Sequence, residues 1–229
     1  DVLLDQTFGR TEKDYESLLP PRAEVLCGAK YALLRPEFAK WRQLSLKSRK
    51  NGELNRIFVN LGGVDKDNLT SRVLSALEAT QLASTVSVIV VLGAQCPNIQ
   101  SVKETAVSSR FSTEVIVAAS NMAELMASAD LAVGAAGSTS WERCCLGLPS
   151  IMVVIAENQL TLAKNIESAG VTMVLDINSK VELATALLEA INQLMRNDCP
   201  SLMRRMSYDA SKIVDGLGVK RVIKRFATI

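Results

Sequence analysis

The densest chemistry in this chain lies in residues 134–149, GAAGSTSWERCCLGLP. Gly134 and Gly137 carry no side chain and let the backbone come close to a ligand. Ser138, Thr139 and Ser140 then offer hydroxyls and amides where an apolar run, DLAVG, gives way to a helix-length stretch. The first amides of a helix lack an intrahelical acceptor and stand at the positive end of its dipole, so such a junction suits an anion. Glu142 falls one turn into that helix. Its carboxylate can accept both hydroxyls of a ribose, as the acidic residue of a dinucleotide site does. An acidic residue in a first turn is also favourable with no ligand present, and the residues alone leave both readings open.

Two further clusters stand where apolar runs end. Gly62 and Gly63, with Val64 and Asp65, follow IFVNL; a glycine pair there is a ligand approach or an ordinary turn. Glu157, Asn158 and Gln159 follow SIMVVIA and make a plausible reader of hydroxyls and amides, although Asn158 would be unremarkable as a helix cap. Cys144 and Cys145 invite a nucleophile reading, but nothing nearby activates them and buried thiols are usually inert packing. Trp141 reads as packing, because helix side chains point back along the axis. Lys47, Arg49 and Lys50 read as a solvated linker in preference to a phosphate patch.

Composition removes several classes of chemistry. The chain has 229 residues and no histidine, which excludes a Ser-His-Asp triad or a histidine base within it. Five cysteines with no C-x-x-C spacing support neither a zinc framework nor a disulfide scaffold, so reduced thiols, a cytoplasmic location and no metal site or cofactor are expected. The 26 basic and 24 acidic residues leave a formal charge of +2, so no nucleic-acid or membrane partner is expected and any anion site must be local. The N-terminus, DVLLDQT, lacks the order of a signal peptide.

Six apolar runs from residue 56 onward alternate with helical patterns: IFVNL, VSVIVVLGA, VIVA, DLAVG, SIMVVIA and VTMVL. They are apolar throughout, the mark of strands covered on both faces, so the expected fold class is α/β with a doubly wound, mostly parallel, Rossmann-like sheet. Ligands of such sheets gather at the carboxyl ends of the strands, where residues 62–65, 134–140 and 156–159 should share one crevice. Ahead of these come short strands at residues 2–4 and 24–27, a short helix over 13–19, an extended stretch from Tyr31 to Arg35 and a helix opened by Pro36. Residues 40–55 are polar, and their latter half reads as a linker. Helices are expected over 159–169 and from 181 to about 195, with an amphipathic terminal helix at 219–226 that docks on a neighbouring domain. The expected organisation is residues 1–46 as part of one domain and linker entry, 47–206 as the nucleotide-binding domain, and 207–229 as a crossover helix.

The runs LLDQTFGR, YALLRPEF, GGVD, GAAGSTSWERCCLGLP, AENQ and DGLGVKRV occur in this order along essentially the whole chain. Together they resemble the UDP-2,4-diacetamido-2,4,6-trideoxy-β-L-altropyranose hydrolase family of pseudaminic acid biosynthesis, used in flagellin glycosylation. The resemblance implies the C-terminal half of a GT-B fold, with a remnant of the N-terminal domain. It also implies metal-independent hydrolysis with inversion that releases UDP and the free sugar. Under it Gly137, Ser138 and Thr139 would hold the diphosphate and Glu142 the ribose. Ala118, Ala119 and Ser120 would meet the uracil through backbone groups, and Gly62, Gly63, Glu157, Asn158 and Gln159 would approach sugar or phosphate. Family members carry a histidine base on an N-terminal Gly-rich loop. This chain has neither, which reads as a C-terminal fragment with the UDP half-site, no catalytic residue of its own and surfaces open to self-association. A glycosyltransferase of the same fold and a non-catalytic UDP-sugar binding module are the alternatives.

Overall fold

The computed structural model describes residues 1–177, 181–196 and 198–227. The chain opens with β1 (Val2–Asp5) and β2 (Glu24–Cys27), which pair in parallel as a separate two-stranded sheet. Between them the helix expected over 13–19 is only a 3-10 turn, Glu12–Tyr15, held by Asp14, whose carboxylate accepts the Thr11 amide at 2.7 Å. That turn has no buried residue, and a short helix without a packed face does not outlast its nucleation cost. Tyr31 likewise ends a second 3-10 turn, Ala29–Tyr31, and the chain runs free of helix only from Ala32 until Pro36.

The linker expected in the latter half of residues 40–55 is replaced by the end of α1 (Pro36–Ser48) and a 3-10 turn, Arg49–Asn51. Its basic residues mislead because two of them are caps, not solvated charges. Arg42 donates to the carbonyls of Ser211 at 2.7 Å and Val214 at 3.0 Å, and also to that of Cys145. Arg49 is buried and donates to the carbonyls of Ser45 and Met126 at 2.9 and 2.7 Å. Orphan carbonyls at helix ends need such donors, so α1 is pinned to the ends of its neighbours by guanidinium forks.

The six apolar runs become six parallel strands joined by helices. In order they are β3 (Arg56–Asn60), α2 (Leu69–Glu78), β4 (Ser87–Leu92), α3 (Ile99–Val107), β5 (Ser112–Val117) and α4 (Met122–Ser128). Then follow β6 (Leu131–Ala135), α5 (Thr139–Cys145), β7 (Ser150–Val154), α6 (Leu160–Ser168), β8 (Thr172–Asp176) and α7 (Leu183–Leu194). The spatial order is β5-β4-β3-β6-β7-β8, a doubly wound sheet whose direction of winding reverses between β3 and β6. Side chains alternate across each strand, so Ile57 and Val59 enter the core on one face while Phe58 enters the core on the other. Both faces are covered, which is why β3, β6 and β7 carry apolar residues at nearly every position.

At the amino edge of the sheet, Asp130 ties the two central strands together. Its carboxylate accepts the amides of Asn55 and Arg56, each at 2.8 Å, and its own amide donates to the Arg56 carbonyl at 2.9 Å.

After α8 (Cys199–Ile213) comes α9 (Gly218–Phe226), the expected amphipathic terminal helix. It docks on the 3-10 turn after β2: a Cβ on Gly218 would stand 2.2 Å from the Ala32 carbonyl oxygen, so only glycine lets the backbones meet there. Arg221 donates to the Lys30 carbonyl at 2.8 Å and pairs with Asp215, and Arg225 pairs with Glu24. Residues 228–229 of the expected C-terminal segment lie outside the described residues.

Candidate nucleotide crevice

Because every pairing in the large sheet is parallel, all six strands deliver their carboxyl ends to one edge. The loops after β3, β5, β6 and β7 carry most of the residues singled out for a ligand, while Gly134 lies in β6 and Thr139, Ser140 and Glu142 lie in α5. At the reversal point Asn60, the last residue of β3, stands opposite Gly134 of β6. The edge brings the three predicted loops, and the 118–120 segment, to one side of the sheet.

In the loop after β3, Gly62 has φ +102° and both Gly62 and Gly63 face open space where a side chain would stand. Asp65 is occupied structurally: its two carboxylate oxygens accept the amides of Leu69 and Thr70, each at 2.9 Å, and so cap α2. Gly93, after β4, escapes a reading of the sequence. A Cβ there would stand 2.1 Å from the Gly63 carbonyl oxygen, so the residue that seats the glycine loop is a glycine on the neighbouring strand. The signal in the sequence is the LGA that closes VSVIVVLGA, a glycine at the strand end.

After β5, Ala118 takes a left-handed conformation with φ +54°, unfavourable for a residue with a Cβ. Its amide donates to the Leu92 carbonyl at 2.8 Å, which turns the chain sharply and leaves Ala118 and Ser120 exposed at the crevice edge.

After β6 the chain enters α5 through Gly137 and Ser138. The Ser140 amide donates to the Gly137 carbonyl at 2.9 Å and the Trp141 amide to the Ser138 carbonyl at 3.1 Å. The tight turn therefore uses those two amides, and the amides of Ser138 and Thr139 are the ones left for an external acceptor. Gly137 faces open space, as a ligand approach requires. Gly134 does not. A Cβ on it would stand 2.0 Å from a terminal nitrogen of Arg143, so this glycine makes room for the chain's own guanidinium and not for a ligand.

Glu142 is mostly buried, its side chain 17% exposed, with Arg35 at 3.9 Å. Arg35 in turn meets Glu37 at 3.0 Å, so the YALLRPEF run reaches the crevice through one arginine. Burial raises the Glu142 carboxyl above the usual carboxylate range, and Arg35 and Arg143 offset this only partly. Cys144 and Cys145 are buried, and desolvation pushes their thiols up to about 12 and about 11, which leaves them protonated and inert at neutral pH. Trp141 is buried in the same apolar cluster.

In the loop after β7, Glu157 and Asn158 are exposed, whereas the Gln159 side chain accepts the Ile155 amide at 3.0 Å and closes its own turn. A small cavity of about 350 Å³ lies here, lined by Ala156, Glu157, Leu160 and Asp176 among others. A larger cleft of about 970 Å³ lies elsewhere, between residues 8–13 and 27–30 and the far part of α8. Among the described residues no group of three or more histidine, cysteine, aspartate or glutamate side chains could hold a metal, and no helix is long and apolar enough to cross a membrane.

Comparison with known proteins agrees with this architecture. The chain is 27% identical over 196 residues to the spore coat polysaccharide biosynthesis protein SpsG of Bacillus subtilis, covering 85% of this chain and 56% of that protein. It is 35% identical over 85 residues to the UDP-2,4-diacetamido-2,4,6-trideoxy-beta-L-altropyranose hydrolase of Campylobacter jejuni, covering 37% of this chain and 29% of that one. The chain thus spans little more than half the length of the first of these relatives, and less of the second. Among solved structures, MurG of Acinetobacter baumannii superposes with a TM-score of 0.71 at 16% identity, over 100% of this chain and 60% of that one. The UDP-GlcNAc 2-epimerase of Neisseria meningitidis superposes with a TM-score of 0.65 at 15% identity, over 93% of this chain and 57% of that one. Residues 56–217 match the glycosyltransferase family 28 C-terminal domain, and the chain belongs to that family.

Proposed function

We propose that this chain carries the nucleotide-binding half of an enzyme acting on a UDP-linked sugar. The observation that carries the reading is the meeting of Gly62, Gly63, Gly137 and the Ser138 and Thr139 amides at the reversal point of the sheet, with the Glu142 carboxylate one turn below. Glycines facing open space admit a phosphate chain, uncommitted amides receive its charge, and the carboxylate accepts ribose hydroxyls. The left-handed turn at Ala118 then presents backbone groups to the base.

The specific reaction we favour is metal-independent hydrolysis of a UDP-linked 2,4-diacetamido-2,4,6-trideoxy hexose, with water attacking the anomeric carbon and UDP leaving. The partial likeness to the Campylobacter jejuni hydrolase and the motif order support it. Preorganised donors at the departing diphosphate are the part of the barrier this half addresses. The base is not a histidine of this chain, which has none. A positioned base contributes roughly 10²–10⁴-fold, so this chain alone is expected to bind UDP well and turn over slowly. The family match favours a second reading, sugar transfer to an acceptor.

Calorimetry separates binding from chemistry. UDP should bind the chain, and Glu142→Gln should weaken it about tenfold or more, the size of a hydrogen bond to a charged group. The same substitution should leave 2′,3′-dideoxy-UDP unaffected; equal losses for both ligands would remove Glu142 from the ribose. Free sugar released from the sugar nucleotide without acceptor marks a hydrolase, while turnover only with acceptor marks a transferase.

A further inference from the structure

Arg143 is the most deeply buried charge in the described structure, with 2% of its surface exposed. One terminal nitrogen donates to the Ala135 carbonyl at 2.9 Å and to the Ser140 hydroxyl at 3.0 Å. Its Nε is buried and has no hydrogen-bond partner. Its neighbours are neutral oxygens: among the described residues no carboxylate lies within ion-pair distance, and Glu142, next in the chain, turns to Arg35. Gly134 is a glycine so that this guanidinium fits beneath the crevice, at the end of β6. Burial lowers its pKa only to about 10, so it is a cation at neutral pH.

A desolvated cation whose nearest carboxylate, Glu142, stands outside ion-pair distance is strongly destabilising, and a fold keeps one only where something offsets it. A methionine or leucine would fill the same volume. The carbonyl of Ala135 and the hydroxyl of Ser140 flank the junction at Gly137, where the chain faces open space. In an interior of low dielectric, a charge acts over several ångströms with little screening.

Resting on the reading that a nucleoside diphosphate binds this junction, we propose that Arg143 is a positioning residue whose missing counter-charge is the ligand's diphosphate. It acts through Ala135 and Ser140, which set the shape of the turn, and through its field, without touching the ligand. The crevice then distinguishes charged from uncharged nucleoside ligands by a cation under its floor.

The test is calorimetric titration of the full chain, wild type, Arg143→Met and Arg143→Lys, with uridine, UMP and UDP. Arg143→Met should leave uridine affinity unchanged and weaken UMP and, more strongly, UDP, the latter by about tenfold or more as expected for one lost low-dielectric charge contact. Arg143→Lys should restore most of the preference for UDP, because the charge returns without the fork. Equal weakening of all three ligands by Arg143→Met would reduce Arg143 to a structural pin and overturn the proposal, as would an unchanged series. If circular dichroism shows that Arg143→Met does not fold, Arg143→Lys decides: a kept preference for UDP over uridine supports the charge role and a lost one overturns it. Failure of the wild type to bind UDP would overturn the site reading and this inference together, whereas binding with an unaltered preference in Arg143→Met overturns this inference alone.

Discussion

At the scale of single residues, the crevice depends on charges held where water does not reach. Glu142 has its carboxyl raised by burial, so the folded state holds its proton more tightly than the unfolded chain. A raised carboxyl favours folding when protonated. That contribution is fully present below the unfolded value and is lost as pH rises through the folded one. Glu142→Gln mimics the protonated form at every pH, so it should raise Tm at pH 7.5, and the gain should shrink to nothing as pH falls below the ordinary glutamate range. Thermal melts of both proteins from pH 4 to 8 check this; a lower Tm for the variant at pH 7.5 that recovers toward acid would show that the Arg35 contact outweighs burial. Gly134 is the residue whose role the sequence conceals most completely. A glycine beside a predicted ligand loop reads as room for the ligand, whereas its space is taken by an arginine nine residues later that no local pattern connects to it.

At the scale of elements, the strands and the opening of α1 at Pro36 were legible, and what holds the far end of α1 was not. Continuous apolar runs identify strands covered on both faces, and the six runs from residue 56 onward are the six strands of the sheet. The helix α1 buries only Phe38 and Ser45 among its thirteen residues, so the polar stretch where it ends looks like a linker. What fixes it is Arg42 and Arg49 donating to carbonyls on elements far along the chain, and such pairings leave no trace in hydrophobic periodicity. Arg49→Met should therefore destabilise the protein by about 1–3 kcal/mol by leaving buried carbonyls unpaired, measured as a shift in the urea midpoint with little change in slope. A neutral result would mean that water replaces the guanidinium. Gly62, Gly63 and Gly137 follow apolar runs and face open space, as a ligand loop would need, whereas Gly93 gained its meaning only from a facing backbone.

At the scale of the whole molecule, the small sheet of β1 and β2 is fastened to the rest partly by its contact with α9. Arg221 and Arg225 reach back from that helix to Lys30 and Glu24. The Asp215 carboxyl, hydrogen-bonded to Arg221, is held down at about 2. A depressed carboxylate contributes stability above its unfolded value near 3.8 and loses it as pH falls toward 2. Hydrogen exchange should then show α9 and β2 loosening between pH 4 and pH 2 ahead of the six-stranded sheet. Simultaneous exchange of both sheets would show that α9 is held by its apolar contacts instead.

The carboxylate of Asp130 gives this architecture a handedness of use. It binds the starts of β3 and β6 together, and the two strands stay paired as far as Asn60 and Gly134, where their loops leave at the opposite edge. The amino edge is thus the tied root of the sheet, and the loops proposed to meet a ligand stand at the other end of the same strands. The exposed turn at Ala83, Ser84 and Thr85 lies on the root side, between α2 and β4. A fluorophore or an affinity handle placed at Ser84 should therefore travel with the protein without crossing the path of a ligand.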